Sequence, residues 1–159
     1  MKALITRCVV PGGVSTELVE QVRDIVRANG FQVDLLDLPH PDDTSPLKSL
    51  LAIRLIPVGS ADVLLCLDAW SAALRHSNKR VWLLGGVADV TDQADFLANV
   101  LRAGVREARS VFAPAEAAQK LKDAGFGKVG KLAADVLEVD KSTQSSRTRR
   151  LTPLLKTMR

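Results

Sequence analysis

The sequence predicts one α/β domain built on a doubly wound, mainly parallel sheet with helices on both faces. Short apolar runs rich in β-branched residues alternate with stretches of helical periodicity, and Gly- and Pro-marked turns join them. At 159 residues the chain suits a single core. Its 47% hydrophobic and 25% charged residues exclude a disordered, fibrous or coiled-coil protein.

The run Ala3 to Val10 is a buried strand that enters a turn at Pro11-Gly12-Gly13. A helix follows. Ser15 or Thr16 can cap it, Glu17 and Glu20 suit its positive end, and Leu18, Val19, Val22, Ile25 and Val26 share one face. Asn29-Gly30 supplies a left-handed stop. Phe31 to Leu36 is the second strand, and the loop from Leu38 to Pro46 leads to a helix from Leu47 to Ile56.

Ala61 to Asp68 is the third strand, apolar enough to be covered on both faces. Arg80 to Leu84 is the fourth and ends at Gly85-Gly86. One long helix is then expected from Asp92 to Arg109, with Phe96, Val100, Leu101 and Val105 on its buried side. A strand at Ser110–Ala113 and a helix at Pro114–Ala124, stopped by Gly125, come next. Val136–Val139 is the last expected strand. The domain thus covers residues 1–139, residues 140–150 form a basic polar linker, and residues 151–159 form a short amphipathic helix. Leu151, Leu154, Leu155 and Met158 make its stripe, with Thr152 as cap and Pro153 in the first turn.

Charge is unevenly placed. Residues 140–159 carry six of the 22 basic residues and one of the 18 acidic ones, which leaves 16 basic against 17 acidic in residues 1–139. The basic tail is therefore a solvated end or a contact for anionic lipid or a partner. It has no aromatic residue for base stacking, so no nucleic acid is expected. Cys8 and Cys66 each lie in an apolar run and read as small buried hydrophobes. Their spacing and that of His40 and His76 provide no metal site, and no cofactor is implied. The N-terminus has no signal-peptide pattern and no run approaches a membrane span; with reduced thiols, this points to a cytoplasmic protein.

Ligands of parallel α/β sheets gather at the carboxyl ends of the strands, against helix N-termini. Gly12 and Gly13 would let a phosphate or sugar approach the backbone there, and Ser15 and Thr16 add hydroxyls; a tight turn with no ligand is the competing reading. There is neither a G-x-G-x-x-G nor a P-loop lysine. Gly85 and Gly86 are open to the same two readings. Asp68 could hold a hydroxyl, act as acid or base, or be a solvated loop carboxylate. His76 belongs to the opposite edge and a turn, and Trp70 and Trp82 read as packing residues. No Ser-His-Asp or Cys-His arrangement can be assembled from these positions, and no catalytic group is evident in the sequence.

Three segments occur in order: PGGVSTELVEQVRDIVRANGFQVDLL, ADVLLCLDAWSAALRHSNKRVWLLGG and LRAGVREARSVFAPAEAAQKLKDAGF. Together they make the chain resemble, over residues 1–139, the first Rossmann-like domain of a GT-B glycosyltransferase of the retaining, group-1 family. The resemblance implies a transferase that uses nucleotide sugars, with Gly12 and Gly13 near the donor phosphates. It also departs from the family. Gly85-Gly86-Val87 stands where an HQH is expected, and Pro114-Ala115 where Asn-Ser is usual. The family's second domain, which binds most of the nucleotide, has no counterpart in these residues. The resemblance therefore implies half of a partner-dependent transferase, inactive alone, in a homo- or hetero-oligomer with a second chain carrying the nucleotide-binding domain. A non-catalytic assembly module of the same descent and a small nucleotide binder are the alternatives.

Overall fold

The computed structural model describes residues 1–92, 95–132 and 144–159, with side chains from Leu151 onward in the last segment. Its strands are β1 (Lys2–Cys8), β2 (Gln32–Leu38), β3 (Val63–Asp68), β4 (Lys79–Gly85), β5 (Ser110–Ala113) and β6 (Val129–Lys131). Its helices are α1 (Thr16–Ala28), α2 (Pro46–Arg54), α3 (Val87–Thr91), α4 (Phe96–Arg106), α5 (Ala115–Asp123) and α6 (Gln144–Met158). A short 3₁₀ turn, Ser71–Ala73, follows β3.

All strand pairs are parallel, in the order β2-β1-β3-β4-β5-β6. The chain moves outward from β1 to β2 and then returns past β1 to β3, so the order reverses between β1 and β3. At such a reversal the loops after the two strands diverge to opposite faces and leave a crevice at their carboxyl ends. Dinucleotide-binding domains with order 3-2-1-4-5-6 turn back one strand later.

The alternation along each strand divides the core in two. Ala3, Ile5, Val63, Leu65, Leu67 and Trp82 pack with α1 and α6, whereas Leu64, Cys66, Val81 and Leu83 pack with α2, α4 and α5. Both faces are covered, which is why β3 is buried at every position. Trp82 is fully buried and donates its Nε1–H to the Leu132 carbonyl, so it is a packing residue as expected. Trp70 is half-buried against the second cluster.

Three expectations need correction. The helix foreseen from Asp92 to Arg109 is the shorter α4, and α3, which lies ahead of Asp92, was not foreseen. Asp95 caps α4 by accepting from the Ala98 amide, and Phe96 in its first turn is 66% exposed instead of buried. The buried face is Ala98, Leu101, Gly104 and Val105. A Cβ on Gly104 would lie 2.8 Å from the Ala72 carbonyl oxygen, so glycine sets how closely α4 approaches the 3₁₀ turn.

The terminal helix begins at Gln144, so part of the stretch read as linker is helical and Pro153 lies inside the helix, not in its first turn. Its stripe forms as expected, but Leu151, Leu154, Leu155 and Met158 are buried in this chain's own core. Arg80 fixes that docking: its Nε donates to the Thr157 carbonyl at 2.6 Å, placing a cation at the negative end of α6. The apolar stripe is thus occupied within the chain. The strand expected at 136–139 lies outside the described residues, and β6 is a strand the sequence reading did not include.

Candidate functional site

Seven residues, 9–15, carry the chain from β1 over the carboxyl edge into α1. Gly13 closes a turn by donating its amide to the Val10 carbonyl at 3.0 Å. A Cβ there would come within 2.6 Å of the Val10 side chain, so Gly13 serves the turn itself. Gly12 differs. It has φ +69°, and beyond its two chain neighbours no atom lies within 4 Å of where its Cβ would be. Only the left-handed backbone demands glycine, and the space beside it is open.

The two hydroxyls of this loop are engaged. Ser15 caps α1, its Oγ accepting from the Leu18 amide at 3.2 Å. Thr16 Oγ1 accepts from Arg7 Nη2 at 2.8 Å. Beside the first turn of α1 lies a depression of about 310 Å³, lined by Ser15, Glu17, Leu18 and Gln21. Glu17 brings an acceptor-only carboxylate to it, and the Gln21 side-chain oxygen is buried without a hydrogen-bond partner. These groups suit sugar hydroxyls better than an anion.

Asp68 is neither solvated nor free. It is 4% exposed at the end of β3, where Oδ2 accepts from the Cys8 amide at 2.6 Å and Oδ1 from the Ser71 amide at 2.7 Å. Burial pushes its carboxyl up to about 6, against the hydrogen bonds from Ser71 and Cys8 that favour the ionised form. It ties the base of the Gly12 loop to the 3₁₀ turn, spanning the point where the strand order reverses.

Gly85 and Gly86 form a second glycine turn with a different purpose. A Cβ on Gly85 would meet Val14 at 3.3 Å, and one on Gly86 would meet the Ala69 Cβ at 3.0 Å and Asp89 Oδ2 at 3.1 Å. Gly86 has φ +69° and leads into α3, only five residues long. This turn is filled by protein. Burial there raises the Asp89 carboxyl, with the Trp70 side chain acting in the opposite direction.

Arg7, Asp37, Trp70 and Asp89 went unrecognised in the sequence as residues of this edge. A charge inside the apolar run of β1 was the available signal for Arg7, because such a residue needs a partner. Here Arg7 Nε and Nη2 donate to the two oxygens of Asp37, each at 2.9 Å. That contact raises the Arg7 guanidinium's affinity for its proton and holds the Asp37 carboxyl below its ordinary range.

His76 lies at the opposite edge in a turn, as expected: Nε2 contacts the Ala61 carbonyl and Nδ1 accepts from the Asn78 amide. Nearby Lys79 is wholly buried, donating Nζ to the carbonyls of Ala72 and Leu74, and burial lowers its ammonium. The thiols of Cys8 and Cys66 are free and buried, and burial pushes both up to about 12, which makes them inert. Among the described residues there is no cluster of three or more His, Cys, Asp and Glu able to hold a metal, and no helix long and apolar enough to cross a membrane.

Compared with protein-family models, curated proteins and solved structures, the chain matches none.

Proposed function

We propose that this chain forms one wall of a nucleotide-sugar site, with the donor phosphates against Gly12 and Gly13, and that a partner chain with a nucleotide-binding domain completes it. The observation that carries this reading is the open space at Gly12, on left-handed backbone at the carboxyl edge of β1. Backbone amides ahead of a 13-residue helix can approach phosphoryl oxygens there with no side chain in the way. Glu17 and Gln21, one helical turn apart in the depression at the first turn of α1, would accept from sugar hydroxyls. The substrate class rests on the three segments that resemble a group-1 glycosyltransferase; the geometry supports the edge at which the ligand binds.

In this reading the chain binds and orients, and the partner brings the groups that act on the glycosidic bond. Asp68 cannot serve as the acid or base from its position, since both oxygens hold backbone amides. That same commitment favours a second reading, a non-catalytic assembly module in which the loop is kept only as structure.

Isolating the chain with its bound partner and assaying transfer from UDP- and GDP-sugars tests the proposal. Turnover by the complex but by neither chain alone, lost in Gly12→Val while the complex persists, is expected. A complex whose turnover ignores Gly12→Val supports the assembly module. A chain that captures no nucleotide-binding partner and does not bind UDP refutes both the site and its partner.

A further inference from the structure

The loop that leaves Gly12 open has few backbone bonds of its own. Apart from the Gly13 turn, its ladder ends with the Val9 amide donating to the Leu38 carbonyl at 2.9 Å. A loop so lightly held would have to be ordered by its ligand, at a loss of affinity for every residue fixed. One side chain spans the gap. Arg7 projects from the end of β1, its side chain 7% exposed, and reaches three separate elements. Nη1 donates to the Val14 carbonyl at 2.6 Å, Nη2 to Thr16 Oγ1 at 2.8 Å, and Nε with Nη2 to both oxygens of Asp37 on β2.

We infer that Arg7, oriented by Asp37, is the positioning residue that holds the Gly12 loop in its binding shape before any ligand arrives. This rests on the nucleotide-sugar reading for what the loop binds, but not for how the loop is held. The chemistry requires a guanidinium. Its planar fork grips the carboxylate through two parallel bonds while its remaining N–H groups point to the Val14 carbonyl and the Thr16 hydroxyl. A lysine ammonium in its place keeps the charge and loses the simultaneous contacts. Asp37 is half exposed, so its part is to aim the guanidinium, and it lies where solvent and salt can reach it.

Site-resolved amide hydrogen exchange on the full chain, paired with UDP titration, separates this role from general stability. In Arg7→Lys the hydrogen-bonded amides of this segment, those of Val9 and Gly13, are expected to exchange faster by about tenfold or more, while those of Leu64 to Leu67 keep their protection. UDP affinity falls by about tenfold in the same variant. Asp37→Asn gives a smaller change of the same pattern, shrinking with added salt, and is read instead if Arg7→Lys does not fold. Unchanged loop exchange in both variants overturns the inference, as does a loss of protection that is equal in the loop and in β3. If wild-type protein does not bind UDP but the loop still loosens on substitution, the positioning role stands and the nucleotide-sugar reading falls.

Discussion

The two glycine pairs at the carboxyl edge of the sheet look alike in sequence and do opposite things. Each lies at the passage from a strand to a helix, and each holds a residue at φ +69°. Beyond its two chain neighbours Gly12 has nothing within 4 Å of its missing Cβ, whereas Gly86 has Ala69 and Asp89 at 3.0 and 3.1 Å. The first pair precedes a 13-residue helix with a capped N-terminus, the second a helix of five residues. A glycine pair therefore leaves room beside the backbone only where the volume it frees is unfilled; otherwise it lets protein approach protein.

The largest effect that would sharpen this contrast comes from Gly86→Val. Left-handed strain and crowding against Ala69 act together, and we expect a loss of about 3 kcal/mol in urea unfolding. A loss no greater than that of Gly12→Ala would break the contrast.

Asp68, which lies between the two turns, gives the next effect through pH. Its folded carboxyl titrates at about 6, above the unfolded value. Its contribution to stability is therefore fully present below about pH 4 and is lost as pH rises through about 6, a swing on the order of 2–3 kcal/mol. Carboxylates held low, such as Asp37, act in the opposite sense, so the difference between wild type and Asp68→Asn isolates the effect. Unfolding free energies measured from pH 4 to 7 should lose this falling component in the variant; parallel curves would contradict it.

Gly12→Ala should cost about 1 kcal/mol, from backbone strain alone, because its Cβ meets nothing. The smallest effect is Ser15→Ala, about 0.5 kcal/mol through the lost cap of α1, seen as a small drop in the unfolding midpoint. A large loss from Gly12→Ala would mean that the space beside it is not open.

The unit from β1 through α1 to β2 could be read from sequence because its signals are local: an apolar run, a capping serine, a one-faced stripe and Asn29-Gly30 as a stop. The start of α4 was hidden, since neither Gly nor Pro marks it and Asp95 alone signals the cap, and α3 is too short for a period to emerge. β6 is three residues long with a glycine at its centre, too short for any period to emerge. The stripe of α6 was visible, but its destination depends on Arg80 and Ser110, far away in the chain. At the site, sequence identified the glycine edge but could not distinguish the open pair from the filled one. That distinction depends on Val14, Ala69 and Asp89, and on Arg7 reaching across to Asp37, all contacts created by folding.

The central claim is tested most directly by titrating the chain with UDP while following every backbone amide by NMR. The account predicts that the amides of Gly12 and Gly13, through Thr16, shift progressively while that of Gly86 stays in place. Shifts centred on Gly86, or none at Gly12 as UDP reaches saturating concentration, would contradict it.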